Sequence, residues 1–131
     1  MEVLSSRILL QPTDFHAVRH WYEHVLGLRI YREYGLEGRV TGVVYFLGGG
    51  FLELTTAPPR KGIGPVPVTL WLQVPDVEAE HERLVASGEA TITAPPLLMP
   101  WGLREMWLED PDGVRLVIVE VPEGHPLRTR L

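Results

Sequence analysis

Cysteine is absent from the 131 residues, which removes thiol nucleophiles, thiolate metal sites and disulfide frameworks from consideration. A long apolar run is also lacking, and no positively charged start leads into one, so the expectation is a soluble, cytoplasmic protein that does not engage a membrane. Basic charge is in deficit. Twelve Lys and Arg against 17 Asp and Glu give a formal charge of −5, with the arginines scattered along the chain. That leaves no electrostatic footprint for nucleic acid. What remains is an ordinary globular composition, 45% hydrophobic, sufficient for a core without metal or disulfide staples.

Two stretches read as amphipathic helices. In DFHAVRHWYEHVL, residues 14–26, Val18, Trp21, Tyr22, Val25 and Leu26 form one stripe, Asp14 is an N-cap candidate and Gly27 a stop. In DVEAEHERLVAS, residues 76–87, Asp76 caps, Val77, Leu84 and Val85 are apolar and Gly88 stops. A strand-like run precedes each helix, RILLQPTD at 7–14 and TLWLQVPD at 69–76, and the two align without a gap. Three further strand candidates follow each helix, at 28–34, 40–47 and 50–56, then at 90–98, 103–110 and 114–121. The order is βαβββ, twice.

The predicted organisation is one domain built of two repeated modules, 1–56 and 68–121, with a tail at 122–131. Between the modules, 57–67 carries four prolines and two glycines, which deny both helix and central strand and mark a linker. The fold class is α+β, and the sheets of a duplicated module of this kind must find partners.

The pieces ILLQPTD followed by WYEHVLGL, then FLELT, LWLQVPD and WLEDPDGVRLVIVE resemble the vicinal oxygen chelate superfamily of glyoxalases, extradiol dioxygenases and bleomycin resistance proteins. The resemblance spans nearly the whole chain. It implies two βαβββ modules whose curved mixed sheets enclose a cleft, often completed by a second chain. It also implies four cavity-facing ligand positions in the metal-dependent members, which fall here on Arg7, Glu53, Thr69 and Val117. Only Glu53 has metal-binding chemistry, whereas divalent ions need three or four imidazole, carboxylate or amide donors. The expectation is no metal, no cofactor and no catalytic residue. Arg7 becomes a candidate partner for Glu53.

Turn chemistry then sets which residues share the cavity face. In DPDG, Pro111 suits the first central position of a type I turn and Gly113 the left-handed position after it, giving a three-residue loop closed by Asp110 and Val114. Trp107 then opposes Val117 and faces the cavity, while Met106, Leu108, Leu116 and Ile118 pack beneath the helices. A two-residue loop would reverse those faces. The same reasoning across the three glycines of VVYFLGGGFLELT pairs Leu47 with Phe51 and Tyr45 with Glu53, placing Tyr45, Phe51 and Glu53 on the cavity face. Thr69, Trp71 and Gln73 share one face of their strand, as do Arg7, Leu9 and Gln11.

These residues, with Trp101 as a lid and Val117 in the vacated metal position, form the candidate ligand-binding set. Aromatic walls of this kind stack flat ligands. Each tryptophan also has a plainer reading, as core filler or dimer contact. His16, His20 and His24 recur at metal-binding helical spacing, but Arg19 and Glu23 among them indicate a solvated face. Glu53 as a general base is the catalytic alternative, opposed by Arg7, which would lower its pKa. The resemblance is closest to the metal-free bleomycin resistance proteins. It implies a homodimer that sequesters a bulky aromatic natural product or antibiotic. The alternative is a metal-dependent lyase, isomerase or dioxygenase with a non-standard site at Glu53.

Overall fold

The computed structural model describes residues 1–56 and 68–127; the predicted linker lies outside the described residues. The chain divides into two compact units, Met1–Gly64 and Pro65–Leu131. In the first, β1 (Arg7–Leu10) leads into α1 (Phe15–His20), which continues as a π-helical segment (Trp21–Leu26), followed by β2 (Ile30–Leu36), β3 (Arg39–Leu47) and β4 (Gly50–Thr55). In the second, β5 (Thr69–Gln73) leads into α2 (Val77–Ser87), then β6 (Thr91–Leu98), β7 (Arg104–Glu109) and β8 (Arg115–Glu120). Each unit is the predicted βαβββ, an α+β fold. Among the described residues, no helix is long and apolar enough to cross a membrane.

The strand orders are identical, β1-β4-β3-β2 and β5-β8-β7-β6. In each sheet the first and last strands of the unit pair in parallel, and the other neighbours pair antiparallel. The helices start alike. The Asp14 side chain accepts a hydrogen bond from the Ala17 amide, and the Asp76 side chain accepts one from the Ala79 amide, each at 3.1 Å. Such caps satisfy amides that have no partner in a helix's first turn. The Val77 amide also donates to Glu120 at 3.0 Å, fastening α2 to the end of β8.

The helix at 14–26 is not α-helical throughout. From Trp21 onward it widens, and the amide of Gly27 reaches back five residues to the Tyr22 carbonyl at 3.1 Å. Trp21, Tyr22 and Val25 are all buried in this segment, and its wider turn brings the partly buried Glu23 to the sheet. There the Tyr45 hydroxyl donates to Glu23 at 2.7 Å, and Arg19 donates to the same carboxylate at 2.6 Å.

Beneath the helix of the first unit lie Leu10, Val43, Tyr45, Leu52 and Leu54, all buried. In the second unit Leu70, Met106, Leu108, Leu116 and Ile118 fill the corresponding layer with Val77 and Leu84 of α2. Pro95 and Pro96 fall in β6, an edge strand, where the pairing with β7 shifts register between Ala94 and Leu97. An edge is where a strand tolerates residues that cannot donate to the ladder.

Candidate functional site

The face of each sheet turned away from its own helix carries the functional candidates. In the second unit its register follows from the DPDG turn. The Asp110 amide donates to the Val114 carbonyl at 2.9 Å, the Gly113 amide donates to the Asp110 carbonyl at 3.0 Å, and Gly113 has φ 81°. The Asp110 carboxylate also accepts from the Asp112 and Val114 amides at 2.8 and 2.9 Å. This is the expected three-residue loop, and it pairs Glu109 with Arg115 and Trp107 with Val117. Trp71 pairs with Val117 from the other side. Trp71, Val117 and Trp107 therefore form one row across three strands.

The next row holds Gln73, Val119 and Glu105. Val117 is buried with Leu103, Val119 and Val121, and Trp107 packs against this cluster. Val117 is thus an apolar floor. Trp71 and Trp101 stay exposed, at 47% and 56%. The Trp101 indole N–H donates to Glu105 Oε2 at 2.7 Å, which ties the loop tryptophan to β7. His125 Nε2 donates to the Trp101 carbonyl oxygen at 3.2 Å and clasps the same loop from the tail. The Arg115 guanidinium lies over the Trp107 ring, 6.0 Å from its centroid.

In the first unit Arg7 and Glu53 lie on the paired strands β1 and β4, and Arg7 Nη1 donates to Glu53 Oε1 at 2.6 Å. The Tyr34 hydroxyl donates to the other oxygen, Oε2, at 2.7 Å. The Tyr34 ring lies directly over Gly42, where a β-carbon would collide with it. Burial pushes the Glu53 carboxyl up, but the hydrogen bonds from Tyr34 and Arg7, with the charges of Arg7 and Arg32, outweigh it and hold the carboxyl below its ordinary value. Burial and the hydrogen bond to Glu53 raise the Tyr34 phenol. A carboxylate held charged by two donors is a poor general base.

The expected face of Tyr45 is corrected. Leu47 pairs with Gly50, Phe46 with Phe51, Tyr45 with Leu52 and Val44 with Glu53, one residue out of step with the sequence expectation. Gly48 and Gly49 form a two-residue turn in place of a three-residue loop, with Gly48 at φ 56°. Tyr45 therefore lies beneath the helix, stacked on Tyr22 at 6.2 Å and bonded to Glu23. Burial and that bond raise its phenol pKa.

Phe46 takes the place expected of Tyr45. It joins Phe51 and Tyr31 in a cluster with ring centroids 4.9 to 5.9 Å apart. Tyr31 arrives through a bulge in β2 between Ile30 and Arg32. Tyr31, Arg32, Tyr34 and Phe46 were not among the residues expected from sequence, although Tyr31 and Tyr34 stand in the aromatic run IYREY. Leu9 is exposed, Gln11 lies beyond the end of β1, and Thr69 and Gln73 bound β5.

The metal positions that the resemblance implies do not fit a metal here. Arg7 is a cation, Val117 has no donor atom, and Glu53 is engaged by Arg7 and Tyr34 on both oxygens. A lone carboxylate next to a guanidinium lacks the donor set that divalent ions require. Among the described residues, no three His, Asp or Glu side chains gather in a group able to hold an ion. His20 and His24 stand as a ring pair at 5.0 Å on the helix.

Solved structures with this fold are widespread. That of TioX from Micromonospora sp. ML1 is 22% identical, with a TM-score of 0.74 over 90% of this chain and 98% of that one. A glyoxalase/bleomycin resistance protein/dioxygenase superfamily member from Sphaerobacter thermophilus DSM 20745 is 25% identical, with a TM-score of 0.72 over 91% and 98%. One from Nocardioides is 19% identical, with a TM-score of 0.72 over 96% and 89%. A search of curated proteins gives no match. Residues 5–118 match the family described as Glyoxalase/Bleomycin resistance protein/Dioxygenase superfamily, and the chain belongs to that superfamily.

Proposed function

We propose that this chain is a metal-independent binding protein of the bleomycin-resistance type, which sequesters a bulky aromatic natural product or antibiotic without altering it. The observation that carries the reading is the exchange at the family's ligand positions. Where a metal centre needs donors, the chain has an Arg7–Glu53 ion pair and, between two tryptophans, the apolar Val117.

In this reading Trp71 and Trp107 stack on the ligand and Trp101 closes over it from the loop. Gln73 and Thr69 orient its polar groups there, and on the first unit Arg7, Leu9, Gln11, Phe51 and Glu53 make up the ligand-binding face. Each aromatic contact contributes about 0.5–1.5 kcal/mol beyond the area it buries. The proposal includes a homodimer in the cytoplasm, with the clefts at its interface. An enzyme acting through Glu53 would need that carboxylate free, whereas Arg7 and Tyr34 occupy it.

Tryptophan fluorescence titration against a panel of planar aromatic antibiotics tests the reading. A saturable change that Trp107→Ala weakens about tenfold, equivalent to ~1.4 kcal/mol, supports it. Emission unchanged by every member of the panel contradicts it.

A further inference from the structure

The ring cluster Tyr31, Phe46 and Phe51 is exposed on the sheet of the first unit, with Tyr31 at 50% and Phe46 at 44%. Tyr31 stacks on Phe51 at 4.9 Å and an interplanar angle of 25°, and Phe46 completes a contiguous aromatic surface. Two guanidinium groups frame it, and a third stands over Tyr34 on the same sheet. Arg7 lies 5.9 Å from the Phe51 centroid, Arg29 lies 5.9 Å from that of Phe46, and Arg32 lies 5.8 Å from that of the neighbouring Tyr34.

The charge on this frame is unbalanced. Arg7 is matched by Glu53, whereas Arg29 and Arg32 make no ion pair with any described residue. Glu53 senses Arg32 through space, but Arg7 and Tyr34 fill its hydrogen-bonding positions. Glu33, the next carboxylate along β2, is paired with Arg19 of the helix at 3.4 Å. Three cations against one carboxylate leave this aromatic surface positive in a chain whose net charge is −5.

We propose that the Tyr31–Phe46–Phe51 surface is a binding site for an aromatic anion, a small molecule whose flat ring system carries a sulfonate, carboxylate or ionised phenol. Rings stack on Tyr31 and Phe46, and the anionic group reaches Arg29 or Arg32. A guanidinium beside an aromatic face suits such a group, because its planar fork donates two parallel hydrogen bonds while the ring accepts the flat part of the ligand. The proposal rests on the reading of this protein as a small-molecule binder and adds the ligand's charge.

The test uses two probes that differ by one group: 8-anilinonaphthalene-1-sulfonate and its uncharged counterpart N-phenyl-1-naphthylamine. The expected result is saturable binding of the sulfonate at least about tenfold tighter than the neutral probe, equivalent to ~1.4 kcal/mol. Phe46→Ala weakens both probes, whereas Arg29→Gln with Arg32→Gln removes only the preference. Added salt weakens the sulfonate selectively. Equal affinity for the two probes, or a preference that survives both arginine substitutions, overturns the anion site while leaving the binding reading intact. Failure of both probes to bind the wild-type protein counts against both. Sedimentation of the Phe46→Ala variant closes the remaining route: if it breaks a dimer that the wild type forms, a second copy covers the surface and the proposal falls.

Discussion

Arg7 and Glu53 meet diagonally across the parallel β1–β4 pair, Nη1 to Oε1 at 2.6 Å, with the Tyr34 hydroxyl on the second oxygen at 2.7 Å. The carboxylate is nearly buried, while the guanidinium is partly open to water. Removing a donor therefore costs more than the ion pair contributes, because it leaves the buried acceptor unsatisfied.

Glu53 is predicted to make stability depend on pH in the acid range. Its folded pKa lies below the ordinary 4.5, so its contribution is fully present above that value and is lost as pH falls through the folded one. Chemical denaturation of the wild type and Glu53→Gln should differ by about 1–3 kcal/mol at neutral pH. The gap should close under acid conditions. A gap unchanged by acidification would show that Glu53 ionisation does not contribute.

Tyr45→Phe is predicted to lower stability by about 1–2 kcal/mol, since it leaves the partly buried Glu23 without its phenol donor. Ligand affinity should be unaffected, because Tyr45 lies beneath the helix. A change in affinity with unchanged stability would return Tyr45 to the binding face.

Gly42→Ala is predicted to destabilise by about 1–3 kcal/mol by displacing the Tyr34 ring that lies on Gly42. The cost should largely vanish in a Tyr34→Ala background, where the ring that must move is gone. Additive losses in that double-mutant cycle would show that Gly42 matters for another reason.

Zinc, nickel, manganese and iron are each predicted to bind far below one equivalent after desalting, as measured by elemental analysis. One equivalent of any of them, lost in Glu53→Gln, would restore a metal role to that carboxylate.

Both βαβββ orders were legible because turn residues and helix caps recur at matching positions in the two units, Asp14 with Asp76 and Gly27 with Gly88. The second-unit register was legible for the same reason, since DPDG specifies its own loop. The first hairpin was not. Three successive glycines at 48–50 accept either a two- or a three-residue turn and carry no side chains to choose between them, and a single-residue slip exchanges every side chain between faces. That slip exchanged Tyr45 for Phe46. The β2 bulge that delivers Tyr31, and the wide turn that brings Glu23 to Tyr45, depend on tertiary packing and leave no local pattern. The Arg7–Glu53 pair was legible because the aligned family positions put a lone carboxylate beside a guanidinium.

Calorimetric titration with the tightest ligand from the fluorescence panel tests the central claim most directly, performed with and without a chelator on wild-type protein and on Trp71→Ala/Trp107→Ala. The account predicts identical affinity before and after chelation, and a loss of at least about tenfold, ~1.4 kcal/mol, in the double variant. Binding that chelation abolishes, or that survives loss of both tryptophans, would contradict it.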